Sequence, residues 1–374
     1  RAMSLSKTSA WPLALVYVAL VVYASLYPFS DWRSQGIAPW AFAVSAPPWY
    51  WSRFDIISNI LGYAPLGFLL CVAQMRSLGR GHSAAAAWRA IVFVTLLSFM
   101  METIQSYLPK RVPSSLDLVT NILGGGLGAL AAARLEQLGL LVHWSRFRAS
   151  WFVPRANLEL VLLALWPCAL FFPVPVPFGL GQVMERLESA LAGALQQTPF
   201  LAWLPVREVE YQPLVPGAEV LCIALGLLLP CLLGYSVVRS LWRRAVLLGV
   251  VFALGVSVTA MSAALSAGPT HAWAWLDMPA QAGLVSGLGV AFLLLPVPMG
   301  ACVGLLLLAL AVHASVLNPS AVSVYFSQTL QTWEQGRFIR FLGLAQWLGW
   351  LWPALTFLVM ARRALMRRSV GGRP

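Results

Sequence analysis

Runs of about 20 apolar residues recur along the whole chain and alternate with short polar or proline-containing stretches. A run of this length is what an α-helix needs to cross the hydrocarbon core of a bilayer. The polar–apolar alternation of a membrane β-barrel is absent, so the pattern predicts helices. We expect an all-α, polytopic membrane helix bundle of about ten transmembrane helices. The predicted spans are approximately 11–29, 55–75, 87–106, 117–135, 157–173, 217–238, 244–266, 275–295, 299–317 and 338–361.

The same pattern predicts two regions, a first transmembrane domain over 1–150 and a second transmembrane region over 151–374. An outer-side interfacial loop is expected over about 173–216, opening with the extended stretch "FFPVPVPFG". It continues with "GQVMERLESALAGALQQTPFLAW", which is amphipathic and predicts a helix lying in the membrane interface. Residues 320–335 have a similar amphipathic pattern. The basic, tryptophan-flanked stretch "LEQLGLLVHWSRFRASWF" is a candidate interfacial helix on the opposite side of the membrane.

Composition supports a membrane location, because only 10% of the residues are charged and the mean hydropathy is +0.76. A soluble domain carries roughly 25% charged residues. The five cysteines fall inside apolar runs without a CxxC pair, which is typical of packed thiols. The four histidines lie far apart in the sequence, so we expect no histidine-based metal site.

The net charge of +12 is distributed as in a membrane protein. If the N-terminus is inside, the predicted inner segments hold 17 Lys and Arg residues and the outer segments hold 8. This bias follows the positive-inside rule and predicts cytoplasmic termini, with a basic cytoplasmic tail. The basic balance is thus a topology signal and an attraction to anionic lipid, and nucleic acid is not expected as a partner.

Polar residues at helical spacing interrupt three of the predicted spans in the first third of the chain. The motifs are "DIISNILGYAPLG", "ETIQ" and "DLVTN", and their spacings of three, four and eight place the members of each motif on one helical face. The residues concerned are Asp55, Asn59, Tyr63, Glu102, Gln105, Asp117 and Asn121. Placing an ionisable side chain deep in a bilayer costs on the order of 2.5–3.5 kcal/mol of free energy. Three such side chains in neighbouring predicted helices therefore indicate a common structural or functional role.

The predicted topology places these motifs near the outer ends of their helices, together with Lys110 and Arg111. The sequence therefore predicts an outward-facing polar pocket. Gly124 and Gly128 form a GxxxG pattern, which would let the fourth predicted helix approach a neighbour closely.

Structural explanations exist for six of these residues. Asp55 and Asp117 could be helix N-caps, and Glu102 could form an ion pair with Arg111. Asn59 and Asn121 could serve as interhelical hydrogen-bonding groups.

The three motifs, in this order and spacing, resemble the VanZ-like family of bacterial membrane proteins over roughly residues 11–135. The matching positions are Asp55, Asn59, Tyr63, Pro65, Leu66, Gly67, Glu102, Gln105, Pro109, Arg111, Asp117, Asn121 and Gly124. The resemblance implies work in the cell envelope, a multi-pass location in the bacterial inner (cytoplasmic) membrane, and an association with teicoplanin resistance. It implies no particular reaction, so whether the chain is an enzyme is left open.

Three functions are compatible with the motifs. The protein could bind or move a phosphate- or sugar-bearing lipid, such as a polyprenyl- or glycan-linked one. Lys110 and Arg111 would then hold phosphate, and Asn59, Tyr63, Gln105 and Asn121 would contact the headgroup.

It could instead be a transferase or hydrolase acting on such a lipid-linked precursor, with Glu102, Asp117 or Asp55 as catalytic carboxylates. Three acids could also hold a divalent cation such as Mg²⁺. The third option, an ion- or proton-coupled transporter, meets the objection that the sixth to tenth predicted helices carry almost no buried charge.

Overall fold

The computed structural model describes residues 10–27, 29, 31–45, 53–78, 81–154, 156–172, 174, 176–203, 214–319 and 339–371. Within this part of the chain the regular structure is helical, with no strand and one isolated bridge between Phe152 and Val238. The helices are α1 Ala10–Leu26, α2 Arg53–Leu78, α3 Ser83–Gln105, α4 Ser115–Gln137, α5 Leu140–Trp151, α6 Asn157–Leu170, α7 Met184–Leu195, α8 Pro216–Tyr235, α9 Leu241–Ala267, α10 Met278–Leu293, α11 Met299–Leu317 and α12 Ile339–Gly371.

The prediction of an all-α protein is confirmed, and each of the ten predicted spans coincides with a helix. Six of the described helices are long and apolar enough to cross a membrane, namely α2, α3, α4, α8, α9 and α11. Three more, α1, α6 and α10, are apolar but shorter. Length and composition therefore indicate a membrane protein, while the count of ten spans and the side of the termini stay predictions.

The long helices expose large apolar side chains, and their buried faces include small and polar residues. Leu61 on α2 and Leu96 on α3 are 65% and 64% exposed, whereas Ser98 and Gly125 are buried. Lipid, unlike water, accepts such exposed leucines, and small residues allow helices to pack closely.

The chain forms two compact units, Arg1–Ser150 and Trp151–Pro374. In the first unit α2 packs against α4, and both contact α3. A Cβ atom added at Gly124 or Gly128 would overlap the α2 backbone at Ile60 or Ala64, and one added at Gly67 would overlap the Gly125 backbone. The expected close approach of the GxxxG face is therefore present, and its partner is α2.

The core of the second unit surrounds irregular backbone between α6 and α7, of which residues 171, 172, 174 and 176–183 are described. Phe178 has φ 62° and is 1% exposed, with its ring centroid 6.1 Å from that of Trp166 and 6.3 Å from that of Trp275. It lies against Gly226 and Gly255, where any Cβ would overlap it. Val176, Phe178 and Leu180, within the expected interfacial loop, are thus buried within the unit, contrary to the loop-like sequence around them.

Polar side chains satisfy the backbone of this segment. His313 Nε2 donates to the Leu180 carbonyl at 3.1 Å, and Ser262 donates to the Phe171 carbonyl at 2.7 Å. Asn318 Oδ1 accepts from the backbone N–H groups of residues 183 and 184, at 3.0 and 3.1 Å, at the start of α7. Backbone outside a helix survives in an apolar interior only when partners of this kind exist.

The expectation of almost no buried charge in the sixth to tenth predicted helices has one exception among the described residues, Arg244. Arg244 on α9 is 5% exposed and donates to four carbonyls near the ends of α8 and α10, those of Tyr235, Val238, Leu295 and Val297. Arg363 on α12 pairs with the buried Glu159 on α6. Arginine tolerates such sites because its five donors can each find a carbonyl or carboxylate.

The predicted amphipathic helix after this segment is present as α7, with Leu187 and Leu191 exposed. The basic, tryptophan-flanked stretch forms α5. The similar stretch expected over 320–335 lies outside the described residues.

Candidate functional site

The polar motif residues of the first unit meet where α2, α3 and α4 pack together. Asn59 Nδ2 on α2 donates to Asp117 Oδ1 on α4 at 2.8 Å and lies 3.4 Å from the Thr120 hydroxyl. Both Asn59 and Asp117 are half-buried. This bond joins the two motifs "DIISN" and "DLVTN" at the same level of the bundle.

One helical turn further along α4, Asn121 is buried against α3. It is 4% exposed, and its Nδ2 donates to Ser98 Oγ at 3.0 Å. Its Oδ1 is buried and has no hydrogen-bond partner. Tyr63 on α2, also buried, places its hydroxyl beside Ser98 and within electrostatic reach of Glu102 and Asp117. We call Asn59, Tyr63, Ser98, Asp117 and Asn121 the polar cluster.

Glu102 lies at the edge of this cluster and connects the end of α3 to the start of α4. Its side chain is buried, and Oε2 accepts from the Ser114 backbone N–H at 3.0 Å. Ser114 is the N-cap of α4, since its hydroxyl accepts from the Leu116 N–H at 3.1 Å. The cap of α4 is therefore Ser114 and not Asp117, which lies in the first turn.

Gln105 and Arg111 hold the C-terminal end of α1. Gln105 Nε2 donates to the Ser25 carbonyl at 2.9 Å. The Arg111 guanidinium donates to the Tyr27 carbonyl at 2.7 Å through Nη2 and to the Ala24 carbonyl at 3.2 Å. A helix leaves its last carbonyls without intrahelical donors, so these two side chains supply what α1 lacks.

Lys110 and Asp55 are surface residues. Lys110 Nζ forms an exposed ion pair with Asp31 at 3.1 Å, and Asp55 is exposed in the first turn of α2. Within the described residues, no three Asp, Glu, His or Cys side chains come together as metal ligands. The three carboxylates of the motifs therefore do not form the shared cation site considered from the sequence.

The structure thus brings together Asn59, Asp117, Tyr63 and Asn121, with Glu102 at the edge. Asn59 and Asn121 form the interhelical hydrogen bonds that the sequence offered as an alternative to binding. Sequence reasoning missed Ser98, although it lies four residues before Glu102, at helical spacing, and could have been found. Asp31 lies in a loop before α2 and carries no signal in the sequence.

The fold and the cluster define a class of protein, a helical membrane protein with hydrogen-bonding side chains buried between its first long helices. The family model that matches is VanZ/LLP1, over residues 6–136, which are 131 of the 374 residues. The resemblance inferred from the motifs is thereby confirmed for this segment, which contains α1 to α3 and all but the last residue of α4. No curated protein and no solved structure matches the chain.

Proposed function

We propose that the first unit binds the headgroup of a phosphate- or sugar-bearing lipid at the polar cluster, in a cell-envelope membrane. The observation that carries the proposal is a half-buried Asn59–Asp117 hydrogen bond close to the buried oxygen of Asn121, which has no hydrogen-bond donor. Natural proteins rarely leave a buried polar atom without a partner, and an absent ligand is one explanation.

The outer face of α4 suits contact with lipid tails. Val119, Leu123, Leu127 and Leu130 are exposed and recur at spacings of three and four residues, so they form one stripe. Two residues turn a helix by about 200°, so this stripe lies on the face opposite Asp117 and Asn121. The motif residues of α4 therefore face the other helices, while the stripe keeps the helix in the hydrocarbon.

The experiment is native mass spectrometry of the full-length protein extracted with its surrounding lipid, comparing the wild type with Asp117→Asn. The substitution keeps the oxygen that Asn59 contacts and removes the negative charge. We expect a specific lipid to be retained by the wild type and reduced in the variant, because binding to a charged group is the stronger interaction.

The matched control is Asp31→Asn, which neutralises an exposed aspartate of the same unit whose ion pair lies on the surface. It should retain the lipid. Equal lipid profiles in the wild type and in a folded Asp117→Asn protein would refute binding at the cluster.

A further inference from the structure

The hydrogen-bond donors near the polar cluster already have partners within the first unit. Lys110 pairs with Asp31, and Arg111 donates to backbone carbonyls at the end of α1, as described above. The amide nitrogens of Asn59, Gln105 and Asn121 donate to Asp117, Ser25 and Ser98. A phosphate offers only acceptor oxygens, so binding it here would require breaking one of these contacts.

The unmet hydrogen-bonding capacity of the cluster is an acceptor. Asn121 Oδ1 is buried and has no partner, although the nitrogen of the same amide is fixed by Ser98. The hydrogen bond from Asn121 Nδ2 to Ser98 fixes the orientation of the amide plane. A ligand that binds Asn121 must therefore place a hydrogen-bond donor next to Oδ1. The Asp117 carboxylate, one turn away on the same face of α4, is a second acceptor group.

We propose that the headgroup recognised at the polar cluster is a sugar, bound through its hydroxyl groups, and not a phosphate. This inference rests on the proposed function and narrows it. One hydroxyl donates to Asn121 Oδ1, and a neighbouring hydroxyl donates to Asp117.

A neutral hydroxyl suits the Asn121 oxygen better than an ammonium group does. The oxygen belongs to the neutral amide of Asn121, a residue that is 4% exposed. An ammonium bonded to this oxygen would exchange strong hydration for a neutral acceptor, which is costly. This argument separates a sugar lipid from phosphatidylethanolamine.

The test uses the full chain, purified in an amine-oxide detergent, because glucoside and maltoside detergents present the same hydroxyl groups as the ligand. The protein is placed in phosphatidylcholine nanodiscs that contain equal minor amounts of glucosyl-diacylglycerol, phosphatidic acid and phosphatidylethanolamine. Native mass spectrometry measures how strongly each lipid is enriched on the protein. We expect glucosyl-diacylglycerol to be enriched about tenfold or more over the other two, the factor that about 1.4 kcal/mol provides.

The variants separate ligand binding from helix packing. Asn121→Leu, of similar volume, removes the unpartnered oxygen and should abolish the enrichment. Tyr17→Phe removes a hydroxyl outside the polar cluster that donates to the Gly62 carbonyl at 2.9 Å; it should lower thermal stability while the glucosyl lipid stays enriched. Loss of enrichment in both variants to the same degree would mean that enrichment only follows the stability of the first unit, and the inference would fail.

Competition on the wild type covers the case in which Asn121→Leu does not fold. Methyl glucoside should displace the glucosyl lipid, and inorganic phosphate should not. If methyl glucoside protects the protein from heat as well as the glycolipid does, hydroxyl recognition stands and its source is a soluble sugar. Enrichment of phosphatidic acid or phosphatidylethanolamine instead would overturn the sugar and leave lipid binding intact, whereas no enrichment of any lipid would count against both proposals.

Discussion

The amide side chains of Asn59 and Asn121 join helices through their nitrogen atoms, and the oxygen of Asn121 is left without a protein donor. An amide can do both because its donor and acceptor ends are separate. The structural and the ligand-binding explanations of these residues are therefore compatible. At this scale, the useful experiments are those that remove one end of a side chain and keep the other.

The Asn59–Asp117 hydrogen bond should contribute measurably to stability. Hydrogen bonds between helices in membranes average about 0.6 kcal/mol and reach about 1.7 kcal/mol. We expect a coupling energy in this range from a double-mutant cycle with Asn59→Leu and Asp117→Leu, measured by unfolding in mixed micelles. A coupling energy indistinguishable from zero would show that the pair adds nothing to folding.

Arg111→Lys should loosen the end of α1. Lysine keeps the charge but lacks the fork that reaches the Ala24 and Tyr27 carbonyls together. We expect faster amide hydrogen exchange in the peptide that contains residues 20–29, measured by mass spectrometry. The neighbouring Lys110→Gln is the control, because exposed ion pairs contribute little, and it should leave exchange there unchanged.

At the scale of elements, the contact between α2 and α4 positions the polar cluster. Gly67 packs against the backbone of α4, while Gly124 and Gly128 pack against the backbone of α2. Each helix therefore allows the backbone of the other to approach closely at its glycines. This reciprocal contact fixes both the distance and the register of the two helices. Asn59 and Asp117 consequently meet at 2.8 Å although they are 58 residues apart in the chain.

Gly128→Ala should destabilise the first unit, because the added methyl group overlaps the Ala64 backbone. Overpacking typically costs about 1–3 kcal/mol. Gly126 lies on the same helix with nothing within 4 Å of its added Cβ, so Gly126→Ala is a matched control. It should be neutral or stabilising by up to about 1 kcal/mol in the same unfolding assay, since alanine favours helix. Equal effects of the two substitutions would contradict the packing described here.

The sequence predicts the helices well, because long apolar runs have few alternatives in a bilayer. It also predicts which polar residues share a face, since helical spacing determines this. It does not predict cross-helix partners such as Ser98 for Asn121, because these depend on the rotation of each helix. The contacts of Gln105 and Arg111 with α1 were equally hidden, since their acceptors are backbone carbonyls, which every residue carries.

At the scale of the whole molecule, the orientation of the chain decides whether the polar cluster faces outward. The excess of Lys and Arg in alternate segments predicts cytoplasmic termini. The cluster would then lie toward the outer surface, where lipid-linked envelope precursors are used. The orientation is therefore the first property of the intact protein that needs a direct measurement.

Reporter fusions measure this orientation. Green fluorescent protein fused after Pro374 should be fluorescent, and alkaline phosphatase fused after Gly36, in the loop between α1 and α2, should be active. Each reporter works on only one side of the inner membrane. The opposite pattern would place the cluster on the cytoplasmic side and would exclude binding at the outer leaflet.

The buried segment of the second unit has a consequence for how the protein is made. Leu180 leaves the ribosome 133 residues before His313, the side chain that satisfies its carbonyl. At about 5–20 residues per second, this corresponds to a delay of roughly 7–27 s. During that delay Gly226 and Gly255, between which Phe178 later sits, are also still being synthesised or inserted. The Leu180 carbonyl therefore lacks its His313 partner until α11 has been made, so the second unit completes its core only after α11 is inserted.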